Sequence, residues 1–158
     1  MKKLPLRKEP RIPFTKEGYQ KLLDDRKKFL AARPEAVKNL SESRAMGDLS
    51  ENGYYKASRQ QLSFLDSRIR RVERLIKLAT IVESANTGII DIGSTIRISD
   101  GTREYSYEIV GGYESDPFKK TISHLSPLGR ALMGKKLHDI IDVHAPNGTK
   151  TYTVLSVS

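Results

Sequence analysis

At 158 residues, with 30% charged and 37% hydrophobic side chains, the chain can supply one ordinary domain or a small domain plus an extended element. It has no Cys, which excludes disulfides and thiolate metal sites and suits a reducing compartment. No stretch approaches ~18 consecutive apolar residues, and the N-terminal decapeptide lacks the apolar run of a secretion signal, so the expectation is a soluble cytoplasmic protein with no membrane association. The net charge of +9 is uneven: residues 1–46 carry +7, residues 47–80 carry +3 and residues 81–158 carry −1. That asymmetry points to a polyanionic partner for the N-terminal half, and a solvated basic face accounts for the charge equally well.

Pro5, Pro10 and Pro13 deny residues 1–13 a helix and make them a basic, extended arm. Thr15 is placed to cap a first helix through its hydroxyl. Its ladder runs Tyr19, Leu22, Arg26, Phe29, Arg33, Ala36 and Leu40, in steps of three and four. Pro34 is expected to kink or restart it, because proline removes a backbone donor.

A second ladder is cleaner: Tyr55, Ser58, Leu62, Leu65, Ile69, Val72, Ile76 and Ala79. This is the spacing of a coiled-coil seam and predicts a helix over 53–80, ~42 Å long at 1.5 Å per residue. The two ladders flank Gly47-Asp48-Leu49-Ser50-Glu51-Asn52, which reads as the tip of an antiparallel hairpin. Arg68, Arg70, Arg71, Arg74 and Lys77 fall on the outer face of the second helix, with Arg26, Lys27 and Lys28 on the first.

The period changes near residues 83–88. Ile96 and Ile98 precede an Asp100-Gly101 turn, after which Tyr105, Tyr107 and Ile109 alternate with polar residues. Ser126-Pro127 has the form of a helix start, serine as N-cap and proline first, predicting a short helix over 128–133 that ends at Gly134. Ile140, Ile141 and Val143 lead into a second turn at Asn147-Gly148, followed by Tyr152, Val154 and Val157. The expected fold class is therefore α+β: an arm (1–13), a helical hairpin (14–82) and a compact antiparallel β domain with one small helix (87–158).

Two readings of the tip stand open. Asp48 can cap the second helix while Glu51 reaches back from the third helical position, a capping box. Alternatively, the carboxylates do chemistry. With no His or Cys beside them they cannot close a transition-metal site, but they can supply part of a Mg²⁺ shell whose remaining ligands are waters and a partner's groups. Half a Mg²⁺ site offered to a phosphate-rich partner suggests assisted phosphodiester chemistry, with two metals clamping the attacking and leaving oxygens.

The residues resemble the bacterial Gre transcript cleavage factors, the GreA/GreB family. The similarity spans roughly residues 12–157. It is carried most specifically by Gly47-Asp48-Leu49-Ser50-Glu51-Asn52 with Tyr55 following, then by Phe14-Thr15-Lys16-Glu17-Gly18-Tyr19, Arg33-Pro34-Glu35 and Ser126-Pro127-Leu128-Gly129-Arg130-Ala131-Leu132. The resemblance implies a coiled-coil hairpin followed by an FKBP-like domain in a factor, expected to be monomeric, that binds RNA polymerase. The hairpin would enter the secondary channel. There Asp48 and Glu51 would share a Mg²⁺ ion with the polymerase, which itself cuts the extruded nascent RNA 3′ end in backtracked complexes; the factor would be no enzyme and hold no cofactor of its own. Arg68, Arg71 and Arg74 correspond loosely to a nucleic-acid-contacting patch, and Ser126 and Pro127 to a polymerase-docking region. The sequence departs from the family's pattern at Gly53-Tyr54, where alanine and an acidic residue are usual, and at Leu125, where a polar residue is usual. Those departures leave a second expectation, a channel-occupying homologue that modulates polymerase without cleavage. A basic hairpin chaperone leaves the acidic tip unexplained, and the C-terminal aromatics read as packing rather than a prolyl isomerase site.

Overall fold

The computed structural model describes residues 11–46, 52–84, 87–145 and 148–158. The chain divides into two compact units, Gln20–Leu78 and the remainder, so that the described residues up to Tyr19 group with Ala79–Ser158.

The first unit is built on two helices, α1 (Lys16–Ala45) and α2 (Gly53–Leu78). Thr15 caps α1 as expected, its hydroxyl oxygen accepting the Gly18 N–H at 3.0 Å. Glu17 in the first turn and Arg44 in the last suit the helix dipole. Of the kink or restart expected at Pro34, the restart does not occur: α1 is one helix from Lys16 to Ala45. The missing N–H frees the carbonyl of Leu30, and residues 30–35 are all exposed, so water can take that acceptor.

The seam buries Leu22, Ala36 and Ser43 of α1 against Ser58, Ile69, Val72 and Leu75 of α2. Its direction is fixed by cross-helix pairs. Arg26 Nε meets Glu73 at 3.3 Å, Arg33 Nε meets Asp66 at 2.8 Å, and the Arg44 guanidinium lies over the Tyr55 ring. Seven residues forward on α1 match seven back on α2, and the next eleven match eleven, so the helices run antiparallel in one unbroken register.

The helix predicted over 53–80 stops at Leu78. Ala79–Ile81 instead form β2, paired in parallel with β1 (Ile12–Phe14), and the Val82 N–H donates to the Phe14 carbonyl at 2.8 Å. Thr80, Ile81 and Val82 are β-branched, and an extended partner is available to take their backbone groups.

The second unit is a five-stranded sheet in the order β5-β4-β3-β7-β6, from β3 (Thr95–Ser99), β4 (Glu104–Val110), β5 (Thr121–Ser123), β6 (Ile140–Ala145) and β7 (Gly148–Val157). Pairing is antiparallel except between β4 and β5, which run parallel. A short α-helix, α3 (Pro127–Leu132), packs Leu132 into the core. Ile96, Ile98, Ile109 and Val154 are fully buried with Leu132 of α3, and Ile90, Ile92, Ile141 and Val143 complete the cluster. The whole is the α+β arrangement of a helical hairpin followed by a β domain.

Asp100 organises the turn between β3 and β4. Its carboxylate accepts the N–H groups of Arg103 (2.8 Å) and Thr102 (2.9 Å) and the Tyr105 hydroxyl (2.9 Å). Those bonds, the Arg103 N–H first, hold its pKa down at about 2, and the same contact pushes the Tyr105 hydroxyl up. Because the folded value lies below the ordinary carboxylate pKa of about 4, this contribution is complete above that pH and is lost as pH falls through 2. A carboxyl NMR titration is expected to place the Asp100 midpoint at about 2, and Asp100→Asn, which keeps both N–H acceptors, to remove that step while leaving the β3–β4 pairing intact.

Candidate functional site

The ends of an α-helix leave backbone groups without intrahelical partners. Where α1 ends and α2 begins, one side chain serves both. Asn52 Oδ1 accepts the Tyr55 N–H at 3.0 Å, making Asn52 the N-cap of α2, while Asn52 Nδ2 donates to the Ser43 carbonyl at 2.9 Å, one of the last free acceptors of α1. Ser43 and Ser58 are buried here, small enough for the backbones to approach, and Ser43 Oγ donates to the Leu40 carbonyl at 2.8 Å. The Arg44 guanidinium, 5.9 Å from the Tyr55 ring centroid, adds a cation–π contact across the same joint.

Asp48 and Glu51, the expected carboxylates, lie outside the described residues, with Gly47, Leu49 and Ser50. The start of α2 bears on them nonetheless. The helix begins at Gly53 and is capped by Asn52, so the capping that Asp48 and Glu51 were able to offer α2 is done by another residue. Reading from the residues assigned Asn52 no role. The signal is present, since asparagine is among the best N-caps and stands three residues before Tyr55, the first rung of the ladder. Among the described residues no group of three or more His, Asp or Glu is arranged to hold a metal ion.

Arg68, Arg71 and Arg74 all lie exposed on α2. They differ in surroundings. The Arg68 guanidinium lies over the Phe64 ring at 4.6 Å and near that of Phe29 at 5.8 Å, while Arg71 and Arg74 make no ion pair among the described residues. Phe64, 59% exposed, also lines a shallow open groove with Lys56, Arg59, Gln60, Ser63 and Ser67. Cations beside an exposed ring are the elements of single-strand contact, phosphate by charge and base by stacking.

In the β domain, Ser126 and Pro127 open α3. The Ser126 hydroxyl accepts the Gly129 N–H at 2.9 Å and donates to the Ser123 carbonyl at 2.7 Å, so it is engaged internally. Pro127 and Leu125 beside it are exposed and present the apolar surface of this corner. The histidines are dispersed: His124 Nδ1 lies 3.2 Å from the Val110 carbonyl, His144 Nδ1 lies 2.8 Å from Thr149 Oγ1, and His138 holds a left-handed backbone conformation. Tyr105 stacks on Tyr107 and meets Tyr152 edge-on, which is the packing role expected of these aromatics.

Two family models match almost end to end. One, described as the N-terminal part of a transcription elongation factor, covers residues 12–81, and one, described as the C-terminal part of transcription elongation factor GreA/GreB, covers residues 85–158. Transcription elongation factor GreA of Staphylococcus epidermidis is 39% identical over 144 residues, 89% of this chain and 91% of that protein. GreA of Lactococcus lactis subsp. cremoris is 39% identical over 154 residues, covering 94% and 99%, and GreA of Cereibacter sphaeroides is 40% identical over 152 residues, covering 93% and 97%. Among solved structures, GreA factor homolog 1 (Gfh1) of Thermus thermophilus matches 94% of this chain and 99% of its own at 25% identity, with a TM-score of 0.45.

Replacing Asn52 isolates the joint between the helices. Asn52→Ala removes both bonds and is expected to cost about 1–2 kcal/mol in urea denaturation followed by helical circular dichroism. Asn52→Asp keeps the cap but sets a carboxylate oxygen against the Ser43 carbonyl, so it should recover only part of that loss.

Proposed function

The chain belongs to the GreA/GreB family of transcription elongation factors, and from that premise we propose that it binds RNA polymerase and stimulates cleavage of the nascent RNA 3′ end in backtracked complexes. On this reading the protein is no enzyme itself; the catalytic machinery is the polymerase's, and this chain delivers two carboxylates to it through the secondary channel. The observation that carries the reading is the Asn52 cap. Asn52 fills the N-cap position of α2, so the helix start does not call for Asp48 in that place, and the sequence sets an Asp and a Glu three residues apart in the connection just before it.

Asp48 and Glu51 form an all-oxygen, all-anionic donor set, which suits Mg²⁺: that ion is commonly held by one or two carboxylates together with waters and substrate phosphates. Bound between the carboxylates and the polymerase, Mg²⁺ would lower the pKa of a coordinated water and offset charge on the phosphate. What this chain supplies is position. The joint at Asn52 holds the two helix ends together, so the connection between Ala45 and Gly53 is tethered at both sides. The basic stem complements the reading, since exposed Arg68, Arg71 and Arg74 meet a polyanion favourably from outside. In the β domain, exposed Pro127 and Leu125, rather than the internally bonded Ser126 hydroxyl, are the atoms available for docking.

The test is cleavage of a defined backtracked transcript by RNA polymerase from the same organism. Wild-type protein is expected to accelerate it. Asp48→Asn with Glu51→Gln is expected to lower the stimulated rate by on the order of 100-fold or more while leaving the melting temperature unchanged, because the cap of α2 is untouched. Stimulation that survives the double substitution rejects the role of these carboxylates. Wild-type protein that blocks the complex instead of rescuing it establishes the modulator reading, for which exposed Tyr54 beside the tip, in place of the family's acidic residue, is the structural motive.

A further inference from the structure

Glu114 lies in the loop that leaves β4 and makes more hydrogen bonds than any other side chain of the described residues. Its Oε1 accepts the Thr15 hydroxyl at 2.6 Å and the Thr15 N–H at 3.0 Å; its Oε2 accepts the Gly111 N–H at 2.6 Å and shares the Thr15 N–H at 3.2 Å. Thr15 is itself the N-cap of α1, and its oxygen accepts the Gly18 N–H while its proton goes to Glu114. One carboxylate therefore ties the cap of the first helix to a loop 99 residues further along the chain.

Space has been cleared for this contact. A Cβ on Gly18 would overlap Glu114 Oε1, and a Cβ on Gly111 would overlap Glu114 Oε2 and the Pro13 carbonyl, although neither glycine has a positive φ that would itself call for glycine. The surroundings add to the hold. Phe14 is buried and stacks on Tyr113 at 6.3 Å between ring centroids, and its carbonyl accepts the Val82 N–H. No Lys, Arg or His ion-pairs with Glu114 among the described residues, so its charge rests on N–H and O–H donors. Glu108 nearby has its carboxyl pushed up, first by burial and then by the charges of Glu17 and Glu114.

Resting on the cleavage reading above, we infer that Glu114 is a positioning residue for that reaction: it fixes the first turn of α1 to the loop after β4, and stimulation of cleavage depends on that fixation. The physical route is short. α1 is one continuous helix from the clamp to Ala45, so freedom at its first turn is carried along its length, and small misplacements of reacting groups are disproportionately expensive.

The experiment pairs a local structural readout with the cleavage assay. Glu114→Gln places an amide donor against Thr15 and Gly111 donors; Gly111→Ala displaces the carboxylate without changing it; Thr15→Ser keeps both hydroxyl bonds and serves as the conservative control. In the first two variants, hydrogen exchange at the Thr15 and Gly18 amides is expected to rise at least ~10-fold, while amides of Ile96, Ile98 and Val154 keep their protection. The maximal stimulated cleavage rate should fall by roughly 10- to 100-fold, with the half-saturating factor concentration changed much less, and Thr15→Ser should retain both properties. In Glu114→Gln the Glu108 carboxyl titration should also move down towards its ordinary value. Faster exchange at the clamp with unchanged maximal cleavage overturns the inference, as does a loss of protection throughout the sheet, which would make Glu114 a general stabiliser. Wild-type protein that fails to stimulate cleavage rejects the functional reading itself, a result visible before any variant is compared.

Discussion

The hairpin depends on a constraint at helix ends rather than on the size of its core. A pair of helices buries little by itself: five apolar side chains, Leu22, Ala36, Ile69, Val72 and Leu75, are buried in the two helices. A seam that thin leaves the free backbone groups at each helix terminus as a comparable liability. Asn52 removes the liability at one joint by accepting from α2 and donating to α1 with a single amide. Thr15 and Glu114 remove it at the start of α1. Asn52 satisfies two backbones with one side chain, while the Thr15 hydroxyl accepts from the Gly18 N–H and donates to Glu114.

Charge works differently along the seam. Arg26 and Arg33 occupy positions where a coiled coil ordinarily places apolar residues, and each pairs with an acid on α2. Both pairs are substantially exposed, so each contributes little to stability. Their effect is on register. A slip of one heptad would set Arg33 opposite Glu73 but leave Arg26 and Asp66 without those partners, whereas apolar side chains alone discriminate weakly between heptads.

In the β domain the chain does two things that a simple meander does not. After β4 it turns through a tight 3-10 segment at Pro117–Lys119, capped by Asp116 and closed by Lys120 in a left-handed conformation, and returns as β5 parallel to β4. The loop that permits this return also holds Glu114 and Tyr113, so one irregular stretch both closes the sheet edge and seats Phe14 and Thr15. Gly129 lets α3 pack against the Ser123 carbonyl, where any larger residue would overlap it.

What was legible in the sequence was whatever depends on neighbours a few residues apart. The three- and four-residue ladders located both long helices, Thr15 marked the start of the first and Ser126-Pro127 that of α3, and Asp100-Gly101 marked a turn, because capping, turn chemistry and amphipathic periodicity are local. Only the tertiary structure decided the rest. Ala79–Ile81 continue the helical ladder by spacing and leave it because Ile12–Phe14, far away in sequence, offer a strand to pair with. Pro34 is tolerated because its freed acceptor faces water and the helix around it is held by α2. The Glu114 clamp joins residues with no local relation, and glycines at 18 and 111 acquire their meaning from a carboxylate that the fold, not the adjacent sequence, brings between them.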